Sequence, residues 1–477
     1  MHFHRVLPRP GSGSPVHSVG SFVRSARTAA VPAALAVLAA CSDGLPTHPV
    51  APRTPVPPTP AGIPCTADVR AGTLVCSGGA GGVAGGLRAN RIIGGQGLNV
   101  TLTSSNVQND SVTETLSADV TVQNLLVQRM GSDGTTVSGV RVFFATEPNT
   151  TVGGGKAEVA NEDGTGMFTA SGQPYYVYPG AIPYLGVSAP RRWEFKVPKS
   201  VITFVFAVYV HAPLVPVVVF DMAPGGNPDI YRMGIDGNDL TRLTTSALTD
   251  EAPTVAQGKV VFVSYRDGNA ELYSMPLKGG AQTRLTTTPA VTEAMPALSP
   301  DGTRLAWVQP TGAFTRVWTG NADATGGAAA VVPAVNTAIE STPSWVSSTR
   351  LAFGSTAAAS SDIYDLTLGG TPTLVAGGDR AEVEPAWSPD GTRIAFSSTR
   401  TRDPELYVLT VGTGAVARIT TRTGGDGAPT WLADGRIVYT CTQGVQLRLC
   451  IVDPANPAGA AVIPTPNDAD HAAAVRF

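Results

Sequence analysis

The sequence predicts an all-β protein: an immunoglobulin-like β-sandwich followed by a six-bladed β-propeller that its C-terminal strand closes. Three observations lead there. Charged residues make up only 14% of the 477-residue chain, while Gly (53) and Pro (39) are abundant, which suits short strands and many turns. Prolines recur at Pro253, Pro296, Pro343, Pro385 and Pro429, at intervals of 43, 47, 42 and 44, the length of a four-stranded blade. Between residues 90 and 213, short apolar runs separated by turn residues read as about seven strands of a sandwich.

The N-terminus reads as a targeting device. Arg24 and Arg27 precede the apolar run Ala29–Ala40, which is too short to span a bilayer and fits a secretion signal over residues 1–40. Leu38-Ala39-Ala40-Cys41 resembles the bacterial lipobox, which implies that Cys41 is lipidated and becomes the mature N-terminus. Two or three acyl chains would hold the protein stably on a membrane of the cell envelope, facing the periplasm or the cell surface. From 41 to 64 the chain is Pro- and Thr-rich, a semi-rigid tether. Export into an oxidising compartment favours pairing of the other four cysteines. Cys65 and Cys76 flank a turn at Arg70-Ala71-Gly72, and Cys441 and Cys450 would end one strand and begin the next. The expected bridges are therefore 65–76 and 441–450, the first within a hairpin and Gly-rich linker covering 65–89.

The sandwich, expected over 90–213, rests on runs such as Asn99–Leu102, Ala118–Leu126, Val140–Phe144, Trp193–Val197 and Ile202–Val210. Asn161–Gly166 lacks the spaced oxygen ligands of a calcium loop and reads as a plain turn.

The propeller is expected over 214–477. Its clearest repeat is Glu384-Pro385-Ala386-Trp387-Ser388-Pro389-Asp390-Gly391-Thr392-Arg393-Ile394-Ala395-Phe396. Tight turns at Asp301-Gly302, Asp390-Gly391 and Asp434-Gly435 reverse the inner strands. Trp345, Trp387 and Trp431 take equivalent places, where a large ring fills the wedge between neighbouring blades. The first unit, from Val217, lacks an inner strand, and Asp470–Phe477, aligned with Asp426–Ala433, supplies it. The recurring acid-x-x-Pro-x-Trp-Ser-Pro-Asp-Gly, Ile-Ala-Phe-x-Ser, (Asp/Glu)-(Ile/Leu)-Tyr and Arg-Leu-Thr motifs resemble the repeats of the TolB propeller family over about half of the chain. That family places an α/β domain before its propeller, whereas a β-rich segment stands there in this chain.

Three residues before each proline position the side chain is acidic: Asp250, Glu293, Glu340, Glu382, Asp426 and, by the same alignment, Asp470. Two readings stand side by side. The acids cap strand starts, or they ring one channel mouth and attract a cation, with calcium the fitting metal, or a basic peptide. The third-strand acids Asp229, Glu271, Asp362 and Glu405 and the outer Arg242, Arg284 and Arg418 read as scaffold.

After Cys41 the chain carries 29 basic against 36 acidic residues, which is no nucleic-acid footprint. No Gly-x-Ser-x-Gly elbow, phosphate loop or His-Glu-x-x-His helix occurs, and His471 is the only propeller histidine, with His211 at the domain junction. No catalytic residue is therefore expected, and no cofactor beyond calcium at the acids. The expected function is a monomeric, lipid-anchored envelope protein whose propeller binds a protein, peptide or cation at one channel mouth. A structural spacer and a carboxylate-based glycoside hydrolase are the alternatives.

Overall fold

The computed structural model describes residues 62–78, 83–84, 90–93, 95–331, 338–357, 360–465 and 469–474. The signal segment, Cys41 and nearly all of the tether lie outside the described residues. Among those described, every regular element is a strand.

The N-terminal part packs an eight-stranded sheet against a four-stranded one. The large sheet runs Thr73–Cys76, Ile63–Asp68, Val201–Pro213, Val140–Gly153, Gln173–Tyr178, Gly164–Gly166, with Val83–Ala84 and Asn90–Ile93 attached at one side. The small sheet runs Val100–Asp110, Thr115–Asn124, Arg191–Lys196, Glu158–Val159. Strand alternation builds the core: Phe204, Phe206, Val208 and Val210 are buried on one face of their strand, opposite Trp193 and Phe195 of the small sheet. Trp193 stacks on Tyr176 at 4.9 Å and donates Nε1–H to the Tyr178 hydroxyl at 3.0 Å, so its one polar atom is satisfied inside the core.

The hairpin around the first cysteine pair is part of this domain and not a linker before it. Ile63–Asp68 pairs with the long strand from Ile63↔Val208 to Asp68↔Thr203, and a disulfide joins Cys65 to Cys76 across the hairpin. The reason is visible in the alternation. Ile63, Cys65 and Ala67 fall on one face and are all buried in the sandwich core.

Among the described residues beyond Pro213, six four-stranded antiparallel sheets follow, each in chain order from inside to outside except the first. That first sheet runs Thr241–Arg242, Asp229–Gly234, Val217–Met222 and then Ala469–Ala474 from the chain's far end. The inner strands touch in succession: Asp250–Ala256, Ala294–Leu298, Glu340–Ser347, Glu382–Trp387, Asp426–Trp431, Ala469–Ala474, and then Asp250–Ala256 again. The succession is a closed circle.

Ser-Pro-Asp-Gly turns set the inner hairpins. Ser299 Oγ donates to Asp301, which also accepts the Thr303 N–H at 3.1 Å, and Gly302 takes a φ of 70° that a side chain would resist. Asp390 and Gly391 repeat this arrangement. The wedges hold the tryptophans. Trp345 and Trp431 donate Nε1–H to the carbonyls of Ala297 and Ala386 in the preceding sheets, at 3.0 and 2.9 Å. A second disulfide, Cys441–Cys450, staples the second and third strands of the last sheet.

The sandwich is tied to the first of these sheets. Arg129 binds Asp239 at 2.9 Å, its carbonyl accepts from the Val215 N–H, and Arg232 lies over the Tyr184 ring. Deleting residues 469–477 removes the strand that pairs with Val218–Met222. The expected outcome is a melting temperature lower by roughly 5 °C or more, on the order of 2 kcal/mol. Calorimetry showing no change would refute closure by this strand.

Candidate functional site

Each of the five inner strands from Asp250 to Trp431 carries the same irregularity. Two residues after the acid stands a residue with positive φ: Ala252 (50°), Met295 (50°), Thr342 (39°), Glu384 (57°) and Ala428 (46°). A proline follows each one. The pairing with the second strand slips at the same place in all five sheets, so these are β-bulges. Left-handed backbone is costly for residues with a side chain, about 1–3 kcal/mol each, and the position before a proline is restricted further. Five such residues in register mean that the fold holds the bulge for its geometry.

That geometry faces the bulge residues into a common opening. Ala252, Met295, Thr342, Glu384 and Ala428 line it together with the five prolines, around a volume of about 170 Å3. The same prolines border a second space of about 170 Å3, lined further by Thr254, Leu298, Ser344, Trp345 and Thr430. The prolines thus form a collar between a mouth and an inner channel. The mouth mixes apolar and polar surface, with Met295 43% exposed, and Glu384 is the one carboxylate among its described lining residues. Glu384 accepts the Ala428 N–H at 2.6 Å. It passes so close to Gly427 that a Cβ there would sit 2.9 Å from Oε2.

The acids expected to ring the mouth are elsewhere. Asp250, Glu293, Glu340, Glu382 and Asp426 are all at most 2% exposed, in the junctions between sheets. Asp250 accepts from Ser264 at 2.5 Å and Arg266 at 3.0 Å, and Glu382 from Ser398 at 3.1 Å and Arg400 at 2.9 Å. Glu340 accepts the Val317 N–H at 2.9 Å and pairs with the buried Arg316 at 3.2 Å. Glu293 is held by Thr288 and Thr286. The bulge accounts for the difference: it gives the axial position to the residue two places on. In the closing strand, register sets Ala469 opposite Met222, the place that Asp250 takes opposite Ser264. Asp470 falls one residue later, opposite Asp221, so the set of six is a set of five. Among the described residues, no group of three or more His, Cys, Asp or Glu is arranged to hold a metal, and the calcium expectation finds no ligand set there.

The third-strand acids line the same junctions. Arg284 binds Glu271 at 2.7 Å and Arg418 binds Glu405 at 2.6 Å, while Arg242 binds Asp229; each arginine also donates to the carbonyl of the threonine two residues on. Asp362 instead accepts from Ser360 and the Gly378 N–H. Three junctions set acid against acid: Asp229 meets Asp250, Glu271 meets Glu293 and Glu405 meets Asp426. Burial pushes the Glu293 carboxyl up to about 7, Thr288 opposes this, and the Glu271 charge adds to it. Burial likewise pushes Asp426 up to about 6, with Glu405 adding to the shift. The bulge residues escaped sequence reasoning because their identities vary. Their one sequence signal is the fixed acid-x-x-Pro spacing that surrounds them.

Three of the five bulges fall in one segment with a family match. Residues 320–456 match the family model of the TolB β-propeller domain. The repeats of this part are therefore of TolB type. Among solved structures, TolB from Acinetobacter baumannii is 15% identical with a TM-score of 0.49, over 55% of this chain and 67% of that one. Hydrazine synthase of Kuenenia stuttgartiensis is 12% identical with a TM-score of 0.45, over 55% of this chain and 47% of that one. A puromycin-hydrolyzing peptidase of Mycobacterium tuberculosis is 15% identical with a TM-score of 0.41, over 77% of this chain and 54% of that one. No curated protein sequence matches the chain significantly.

The buried acids make stability depend on pH. Glu293 and Asp426 hold protons more tightly folded than unfolded, so their contribution is full below the ordinary carboxylate range and fades as pH rises through about 6 to about 7. Glu293→Gln is expected to raise the melting temperature at pH 8 by a few degrees, about 2–4 °C per kcal/mol recovered, and to change little at pH 5. Parallel melting curves of wild type and variant check this; a loss of stability at pH 8 would refute it.

Proposed function

We propose that this chain is an exported, lipid-anchored envelope protein that takes an extended protein segment at the mouth of a closed six-bladed propeller. The observation that carries the reading is the mouth itself. Five strained bulges hold Ala252, Met295, Thr342, Glu384 and Ala428 around one narrow opening above a proline collar. Backbone strain of this kind persists where the surrounding structure has a use for it. About 170 Å3 admits a few side chains and not a folded domain, which favours an extended segment. Its apolar groups would meet Ala252, Met295 and Ala428, and one basic or N–H group would meet Glu384.

Binding fits this mouth better than catalysis does. Hydrolysis of a glycoside by carboxylates needs two of them across the scissile bond, and the described lining holds one. The Leu38-Ala39-Ala40-Cys41 motif supports the anchor, and the two disulfides support an oxidising compartment. The sandwich, in this reading an immunoglobulin-like spacer, would carry the mouth away from the membrane.

Two measurements test the proposal. Palmitate labelling of the wild type is expected to disappear in Cys41→Ser, and persistent labelling would refute the anchor. For the mouth, a photo-crosslinking amino acid placed at Met295 is expected to give a discrete protein adduct in cells, and none at the exposed sandwich residue Val112. Glu384→Gln keeps an acceptor for the Ala428 N–H and removes the charge, so adduct yield is expected to fall about tenfold. Equal adducts at both positions, or indifference to Glu384→Gln, would refute the mouth as the binding site.

A further inference from the structure

One junction departs from its repeats. In five of the six sheets, the third-strand residue paired with the second strand's first core residue is a large aliphatic one: Met233, Met275, Leu366, Leu409 or Val452, each buried. In the remaining sheet that place, opposite Leu305, is Gly320. Two residues on, where Ile235, Leu277, Leu368 and Val411 stand in four other repeats, it has Ala322. The aromatic pair changes as well. Phe220–Tyr231, Phe262–Tyr273, Phe353–Tyr364 and Phe396–Tyr407 have their counterpart in Trp307 and Trp318.

These exchanges leave a cavity of about 300 Å3, the size at which small-molecule sites begin. Trp307, Trp318, Leu285 and Leu305 form its walls, and the buried Glu293 carboxyl and Gln309 supply polar groups. Gly320 is what keeps it open, since a Cβ there would already lie 3.3 Å from the Trp307 ring. Among the described residues, Gln309 accepts from Trp307 Nε1 at 2.8 Å through Oε1, which leaves its own amide N–H groups for a ligand, whereas Trp318 Nε1 is buried behind the cavity wall.

We propose that this cavity binds a single neutral pyranose ring, such as one terminal sugar of a glycan. Indole faces suit the apolar C–H faces of such a ring. Ring hydroxyls both accept and donate, so they satisfy the Gln309 amide while donating to the Glu293 carboxyl that lines the cavity. A hydrocarbon would leave the Gln309 amide unpaired in a dry site, and an anion would meet Glu293. A quaternary ammonium group would suit the rings and the carboxyl but offers no acceptor to the Gln309 amide.

The test is a titration of the full-length protein with methyl glycosides of glucose, galactose, mannose and N-acetylglucosamine. Tryptophan fluorescence and saturation-transfer NMR read the binding, with choline and p-cresol as comparison probes. At least one glycoside is expected to saturate with a Kd on the order of 1 mM. Gly320→Met restores the residue of the neighbouring repeats and is expected to weaken that glycoside at least tenfold. Trp318→Tyr, also a repeat-like residue, exchanges the indole wall for a smaller ring and is expected to weaken it severalfold even if the first variant folds poorly. No saturation by about 50 mM, saturation by choline or p-cresol alone, or unchanged binding in both variants would overturn the assignment.

Discussion

The inner strand must pass from the junction between two sheets to the central axis within three residues, and this constraint organises the rest of the structure. A regular strand does not make that change of direction. A left-handed residue followed by proline does, and the same solution appears at Ala252, Met295, Thr342, Glu384 and Ala428. Its first consequence is that the acid two places earlier turns into the junction and is buried. Its second is that residue identity at the bulge is left free, so the mouth can be varied while the strand stays in place. The closing strand shows that proline is not indispensable: pairing slips there between Val219 and Asp221, yet register sets Ala472 where the other strands have proline.

The junctions hold because wedge-filling and polar satisfaction are solved together. Trp345 and Trp431 fill space and hand their N–H to a carbonyl of the preceding sheet, so each large ring is buried with its donor satisfied. The Arg-Leu-Thr motif does the same on the outside. Its arginine binds the third-strand acid, its leucine packs inward, and its threonine hydroxyl accepts a backbone N–H, as Thr244 does from Ile230 and Thr286 from Leu272. Where Arg316 replaces the acid, Glu340 gains a buried ionic partner; where the acid remains beside Glu293 or Asp426, one carboxyl is driven towards its neutral form.

Much of the scaffold was legible in the sequence because it rests on local chemistry repeated at a fixed period. Asp-Gly turns, wedge tryptophans and the two cysteine pairs each have a mechanism that needs few neighbours. What the sequence did not yield depends on register. Acids at fixed spacing looked like a ring, but a bulge of one extra residue decides which side chain faces the axis, and bulges leave little compositional trace. The hairpin closed by Cys65 and Cys76 was legible, but its place in the sandwich was not, because its partner, Val201–Pro213, lies far along the chain. Asp470 was misplaced by one residue for the same reason: alignment by residue type does not see backbone pairing.

Repetition also separates scaffold from site. A side chain that recurs in nearly every sheet, such as the buried acid, answers a need that every junction shares. A functional group has to break the pattern, and two places do. At the mouth, Glu384 puts a carboxylate where the neighbouring bulges present Ala, Met or Thr, and Gly427 clears its path. At Gly320, the lost aliphatic side chain opens a space that the other junctions fill. Neither departure improves packing. Each leaves a polar or apolar surface less satisfied than its counterparts, which is the condition under which a ligand has something to offer.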